Sequence, residues 1–349
     1  MDNSLPIVPP KKGGESKIED LPPLIFGGAV LNTIYTDDPF KMPITEMIDK
    51  AFENGIIALD TSPYYGLSEE IFGKALNALK DKWNRESYFL CTKVGRHPDG
   101  FRYSREGIRK SVMNSIEKLN TLYLDLVYCH DIEFVKDEEI FEALRELKLL
   151  KDENVVKNIG ISGYPVNFLY KIALGASKDN TIGPLDAVLS YANGCLQNTI
   201  LFDEYQKFFD IGVKKMLNGS ILSMSLLRSQ KTHDFHPAPA ALKAAVQKVA
   251  SHLKSEYSGL ELADLSTRFA YRNWLFEDKN HGKELEWKRD CSLVLGVSTI
   301  QELQDAIQNY WTVKQNLNGV LEKDASIVEE ARKMLGPEHL DETWPSGFH

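Results

Sequence analysis

The sequence predicts an α/β fold of the (β/α)8 TIM-barrel kind: a parallel eight-stranded barrel with an extra C-terminal helix and tail. Two observations predict it. Eight short apolar or β-branched runs alternate with amphipathic stretches of helical length, the pattern of repeated βα units around a parallel sheet. Side chains able to do chemistry collect at the C-terminal ends of those runs, where a barrel of this kind carries its active site.

The runs fall at 24–31, 56–60, 87–94, 124–131, 156–164, 185–193, 213–222 and 292–299. Helices are expected at 43–54, 68–81, 104–119, 137–151, 165–175, 200–210, 239–256 with 261–274, and 300–310, several opening on Ser or Asp in a capping position. The first run lacks a GxGxxG turn, which favours a closed barrel over an open doubly wound sheet. Gly27 and Gly28, at its end, would let a cofactor approach the backbone closely.

At 349 residues the chain suits one such barrel, for which about 250 residues plus insertions is typical. A single domain is expected over 21–349, with 1–20, which carries Pro9, Pro10, Gly13 and Gly14, as a disordered lead-in. The net charge is -9, and Lys and Arg are scattered rather than clustered, which argues against a nucleic-acid surface. No apolar stretch is long enough to span a bilayer and no export signal is evident, so a cytoplasmic protein without a membrane partner is expected. Cys91, Cys129, Cys195 and Cys291 show no CxxC spacing and read as reduced, buried thiols. His233 and His236 form an HxxH pair, but Pro237 disfavours a helix there and no third ligand is evident, so a loop is expected and no metal. The charged segment 277–290 reads as a surface insertion.

The strand ends carry the candidates for catalysis. The second run ends at Asp60, with Tyr65 just beyond; the third ends near Lys93 and the fourth at His130. A proton-transfer site built from these groups needs a base, and Tyr65 is the candidate. A phenol begins near pKa ~10, and an ammonium at ~4 Å favours phenolate by about 4 kcal/mol at an effective dielectric of ~20. Lys93 is therefore expected to bring Tyr65 toward working pH against the opposing effect of burial. Asp60 would keep Lys93 charged and aimed.

These residues, in the segments DTSPYYG, LCTKVG and LDLVYCHD, resemble the tetrad of the aldo-keto reductases, a likeness that covers about residues 20 to 340. Within that family the chain is most similar to the NAD-dependent aldose 1-dehydrogenases, through IGISGYP at 159–165 and SILSMSLL at 220–227. The resemblance implies oxidation of the anomeric carbon of an aldose to its lactone, with D-arabinose first and L-galactose or L-fucose next. It gives His130 the substrate oxygen, Ser162 the nicotinamide carboxamide, and the loop of Ser220, Leu222 and Ser223 the pyrophosphate. Gly163 stands where the family's Asn is usual, no Gln appears near Val188, and Gly219 replaces an aromatic residue. A C-terminal tail in this family folds over the barrel mouth, which would make Trp344 a wall for one face of a sugar. A monomer or weak homodimer is implied.

Gly296, Ser298 and Glu302 carry the selectivity argument. NADP-using relatives place an Arg where Glu302 stands. A 2′-phosphate about 4 Å from a carboxylate suffers about 1 to 4 kcal/mol of repulsion, whereas a ribose diol donates hydrogen bonds to it, which favours NAD. Asp305 is a neighbour on the adenosine side. The alternatives are an NADPH-dependent reductase of broad aldehydes and ketones, and a non-catalytic nucleotide-binding regulatory subunit on the same barrel.

Overall fold

The computed structural model describes residues 5–9, 16–33, 38–277 and 285–347. Eight parallel strands close into a barrel: β1 (Leu24–Gly27), β2 (Ala58–Asp60), β3 (Phe89–Val94), β4 (Leu126–His130), β5 (Ile159–Gly163), β6 (Ala187–Tyr191), β7 (Lys215–Gly219) and β8 (Cys291–Gly296), with β8 pairing β7 on one side and β1 on the other. All eight predicted runs are present. The strands are shorter than the runs because the backbone leaves the sheet before the apolar residues end. Gly28–Val30 forms a 3-10 turn after β1, and Ser220 takes a left-handed φ of 56° after β7.

Alternation along each strand sets what faces inward. Ala58, Phe89, Cys91, Leu126 and Tyr128 fill the barrel interior, while Leu59, Leu90, Val127 and Cys129 belong to the cluster packed beneath the helices. The next inward position at the C-terminal end is therefore Asp60 on β2, Lys93 on β3 and His130 on β4. The pleat itself delivers three of the four expected catalytic groups to one layer.

Helices α1 (Ile44–Glu53), α2 (Ser68–Leu79), α3 (Arg105–Lys118), α4 (Asp137–Asp152) and α5 (Val166–Lys178) cover the first five crossovers. The single helix expected at 200–210 is two short ones, α6 (Ile200–Glu204) and α7 (Gln206–Asp210). After α8 (Ala240–Glu256) and α9 (Leu262–Ala270), a π-turn at Tyr271–Leu275 replaces the end of the expected helix and buries Tyr271 and Trp274. The last crossover helix, α10 (Ile300–Lys314), is followed by the extra helix α11 (Val320–Leu335).

The described part of the lead-in is packed, which corrects the expectation of disorder there. Ile18 and Leu21 join the interior cluster and plug the N-terminal end of the barrel. The buried Lys215 ammonium donates to the carbonyls of Leu21 at 2.9 Å and Arg289 at 2.6 Å, and Ser292 Oγ donates to Pro22 O at 2.7 Å. Ile7 is buried and donates its N–H to Asn54 O at 2.8 Å. Gly55, at φ 82°, allows this approach, since a Cβ there would meet Val8 O at 2.5 Å. Residues 1–4 and 10–15 lie outside the described residues, as does 278–284 of the insertion. The rest of the insertion forms an antiparallel pair, Phe276–Glu277 with Glu286–Trp287.

Among the described residues no helix is long and apolar enough to cross a membrane, and no group of three or more His, Cys, Asp or Glu is placed to hold a metal. All four cysteines are buried free thiols.

Candidate active site

At the C-terminal mouth, Lys93 Nζ donates to Asp60 Oδ1 at 2.5 Å and to Thr61 O at 3.0 Å, and lies 4.8 Å from the centroid of the Tyr65 ring. Asp60 and Lys93 are fully enclosed. Burial alone would discharge the ammonium, but Asp60 and Tyr65 outweigh it and hold the Lys93 pKa above its ordinary value. Tyr65 follows Ser62 in the short turn Pro63–Tyr65, which turns the phenol back toward β3. Its pKa corrects the expectation above. Burial dominates the Lys93 ammonium, and Asp60 and Asp131 add to it, so the phenol is pushed up to about 12.

His130 completes the group. Its ring meets that of Tyr65 edge-on with centroids 5.6 Å apart. Burial, reinforced by Lys93 and Arg96 against Asp131, pulls its pKa down to about 3, so the imidazole is neutral at working pH. Ser62 Oγ lies 2.9 Å from Nδ1 and accepts the Tyr64 N–H at 3.0 Å. The Asp131 carboxylate 3.6 Å from Nε2 favours the imidazole proton on that nitrogen, and the Ser62 hydroxyl then donates to Nδ1. The neutral ring thus presents an N–H donor to an incoming oxygen.

The residues expected around a cofactor lie on the same rim. Ser162 is buried beside His130 in the β4–β5 register, its hydroxyl 3.4 Å from Cys129 O. The loop after β7 has an unusual backbone: Ser220, Ser223, Met224 and Ser225 all have positive φ, from 48° to 70°. Three of these are consecutive, Ser223 to Ser225, so the chain makes a tight left-handed turn at the rim. The Ser220 hydroxyl accepts the Met224 N–H at 2.7 Å, and Ser223 Oγ is buried with no hydrogen-bond partner among the described residues. His236 braces this loop by donating to Ser223 O at 2.8 Å while Nδ1 accepts the Ala238 N–H, and His233 Nε2 lies 2.8 Å from an Arg228 nitrogen. The HxxH histidines thus have structural partners. A Cβ at the buried Gly219 would sit in ordinary van der Waals contact, 3.4 Å from Leu189 and 3.5 Å from Tyr191. These features fit an extended phosphate-bearing cofactor.

Glu302 on α10 accepts from Ser298 N at 2.6 Å and Ser298 Oγ at 2.7 Å, while Thr299 caps the helix by accepting the Glu302 N–H. Its carboxylate is a helix cap as well as an exposed acid at the rim. Gly296 and Asp305 are exposed nearby, and Asp305 accepts from Gln301 at 2.9 Å. The two early glycines have packing reasons of their own. A Cβ at Gly27 would meet Leu295 O at 2.7 Å, and one at Gly28 would meet Ser68 Oγ at 2.3 Å, so the close approach there is made by the protein itself.

The tail does cross the mouth, but Trp344 is not an open wall. It is 6% exposed, stacked on Tyr164 at 4.9 Å and edge-on to His236 at 5.2 Å. Beyond it, Ser346 donates to Glu133 Oε1, which also accepts the Tyr164 N–H at 2.9 Å. Glu133 is fully buried; burial and then Asp131 push its pKa up to about 7. Gly163 is what makes room for it, since a Cβ there would lie 2.3 Å from Glu133 Oε2.

With this geometry in view, comparison with known proteins is decisive. Residues 23–316 match the aldo/keto reductase family. The chain belongs to that family. Two curated relatives resemble it over nearly all its length. D-arabinose 1-dehydrogenase of Saccharomyces cerevisiae is 46% identical, covering 93% of this chain and 94% of its own. L-galactose dehydrogenase of Arabidopsis thaliana is 32% identical, covering 92% and 91%. A solved aldo-keto reductase of Bacillus halodurans superposes with a TM-score of 0.63 at 21% identity, over 92% of this chain and 96% of its own, a likeness of fold. This aldo-keto reductase is therefore an oxidoreductase built on the barrel the sequence predicts.

Sequence reasoning missed Ser62, Arg96, Asp131 and Glu133 around the site. Ser62 and Asp131 adjoin tetrad positions and were legible as neighbours. Arg96 comes from a small hairpin, Arg96–His97 with Gly100–Phe101, that no periodicity announces.

Proposed function

We propose that this aldo-keto reductase oxidises the anomeric carbon of a cyclic aldose, D-arabinose first, using NAD and releasing the aldono-lactone. The observation that carries the reading is the enclosed Asp60–Lys93 pair set against Tyr65 and the neutral His130 at the barrel mouth. The 46% identity to a D-arabinose 1-dehydrogenase over nearly the whole chain supports the substrate class. In this reading His130 Nε2–H holds the anomeric hydroxyl oxygen. The Tyr65 phenolate, stabilised by Lys93 that Asp60 keeps charged, takes the hydroxyl proton and becomes the phenol. Loss of hydride from a hemiacetal carbon leaves an ester within the ring, which is the lactone.

The cofactor, when bound, accepts that hydride on its nicotinamide ring. Ser162 would hold its carboxamide, the backbone and hydroxyls of Ser220, Leu222 and Ser223 its phosphates, and Gly296, Ser298 and Glu302 its adenosine end, with Asp305 beside them. The exposed Glu302 carboxylate supports NAD over NADP, because a 2′-phosphate beside it is repelled and a 2′-hydroxyl is not.

The test is the growth of reduced-nicotinamide absorbance when the purified protein meets D-arabinose, L-galactose, L-fucose and D-glucose, each with NAD and separately with NADP. Turnover of the first sugars with NAD is the expected result. Silence with NAD together with aldehyde reduction by NADPH would overturn it.

A further inference from the structure

Beside the tetrad lies a charged pair that the proton chemistry does not use. Asp131 directly follows His130 and takes a left-handed φ of 51°, a conformation that Asp tolerates better than most non-glycine residues. That turn keeps its carboxylate at the mouth, 3.6 Å from His130 Nε2, instead of following the chain away. Arg96 Nη1 donates to the same carboxylate, and Nη2 donates to Tyr64 Oη at 3.0 Å. The guanidinium is packed among rings, 3.9 Å from the Tyr64 centroid, 5.3 Å from Phe134 and 5.6 Å from Phe101, and keeps 22% of its side chain exposed. Acid and base are adjacent and of opposite charge, the Asp131 side chain 6% exposed and the guanidinium open on one side.

We propose that Arg96 and Asp131 form a hydroxyl-recognition subsite that selects a neutral polyol bearing a hydroxyl next to the reacting carbon. The inference rests on the aldose reading of the same site and names the feature of the sugar it requires. Oxygens on adjacent carbons lie about as far apart as a hydrogen-bonded pair, about 2.8 Å. An oxygen held by His130 Nε2–H therefore places its vicinal neighbour beside the Asp131 carboxylate. The neighbour donates to the carboxylate and accepts from the guanidinium, which uses both capacities of a hydroxyl and neither of a methylene. Because the pair is neutral as a unit, it gives no net attraction to a phosphorylated or carboxylated sugar, whereas a lone Arg would. The Tyr64 ring, held by the same guanidinium, is half-buried at the rim and forms the adjoining wall.

The experiment compares kcat/KM for the aldose turned over fastest with that for its 2-deoxy analogue, in the wild type, Asp131→Asn and Arg96→Lys. For D-arabinose the analogue is 2-deoxy-D-ribose. The wild type is expected to favour the hydroxylated sugar by roughly ten-fold or more. Either substitution is expected to bring the ratio to within about three-fold of one, because the charged acceptor or the planar donor is gone. Nucleotide binding measured by fluorescence quenching establishes that each variant is folded, and Arg96→Lys, which keeps the charge, decides the matter if Asp131→Asn does not fold. A wild-type preference that survives in a folded variant, or no preference in the wild type, overturns the subsite alone. A wild type that oxidises no aldose overturns the aldose reading and the subsite with it.

Discussion

Lys93 Nζ lies 2.5 Å from Asp60 Oδ1 across β2 and β3, with the two side chains only 2% and 4% exposed. Removing one partner of such a pair strands the other charge in a closed interior. Asp60→Asn is therefore expected to cost about 3 kcal/mol or more of stability, read as a lowered Tm, besides its effect on rate. Tyr65→Phe leaves the pair intact and removes only the proton acceptor. Its expected signature is a rate loss of about 10²- to 10⁴-fold with unchanged Tm and nucleotide binding. Near-normal turnover in Tyr65→Phe would remove the base assigned here.

The pH dependence of oxidation follows from the phenol. With a pKa pushed up to about 12, Tyr65 keeps its proton at neutral pH, and the form that accepts a proton grows as pH rises. The logarithm of kcat/KM for the sugar should rise steadily from about pH 7 to about pH 9, and reduction should be favoured at the low end. A bound cationic nicotinamide ring would lower the phenol from that starting point. His130, pulled down to about 3, contributes no inflection near its ordinary value. A profile flat over this range would show that the phenol is already ionised.

Ser62 Oγ lies 2.9 Å from Nδ1 of His130, and its hydroxyl is expected to help hold the ring in the Nε2–H form. Ser62→Ala is expected to cost about 1 kcal/mol of stability and to lower kcat about ten-fold. The discriminating readout is the ¹⁵N spectrum of His130, which should change from a single Nε2–H form to a mixture. An unchanged spectrum would assign the tautomer to another contact.

Glu302 combines two roles that one substitution separates. Glu302→Gln retains an oxygen for Ser298 N and loses the charge, so the ratio of NADP to NAD use should rise about ten-fold or more with little change in Tm. Glu302→Ala removes the cap too and should cost about 1 kcal/mol. A cofactor ratio that does not move in Glu302→Gln would confine Glu302 to capping.

Gly163 faces Glu133 with no room for a methyl group, since a Cβ would lie 2.3 Å from Oε2. Gly163→Ala should cost about 1 to 3 kcal/mol and loosen the tail that Ser346 ties to the same carboxylate. In a Glu133→Ala background the same substitution should cost far less. Equal costs in the two backgrounds would place the strain elsewhere.

The barrel and its reactive layer were legible because their causes are local. A period of two along β2, β3 and β4 puts Asp60, Lys93 and His130 on the inward face whatever the loops do. The lead-in was read as disordered from its Pro and Gly content, but composition cannot express that Ile18 and Leu21 find a barrel mouth to plug. Arg96 and Glu133 escaped notice for the same reason: their partners, Asp131 and Ser346, lie 35 and 213 positions away in the chain.

By itself the sequence determined the fold class, the order of the strands and the residue types that meet at their ends, since these follow from side-chain periodicity and chain order. Tertiary structure decided how those groups behave. It set the balance between burial and the Lys93 charge at Tyr65, placed Ser62 and Asp131 against the two ring nitrogens of His130, turned Trp344 from a wall into a packed brace, and brought Arg96 to Asp131. Each of these depends on distances and desolvation between segments far apart in the chain, and such quantities exist only once the chain has closed on itself.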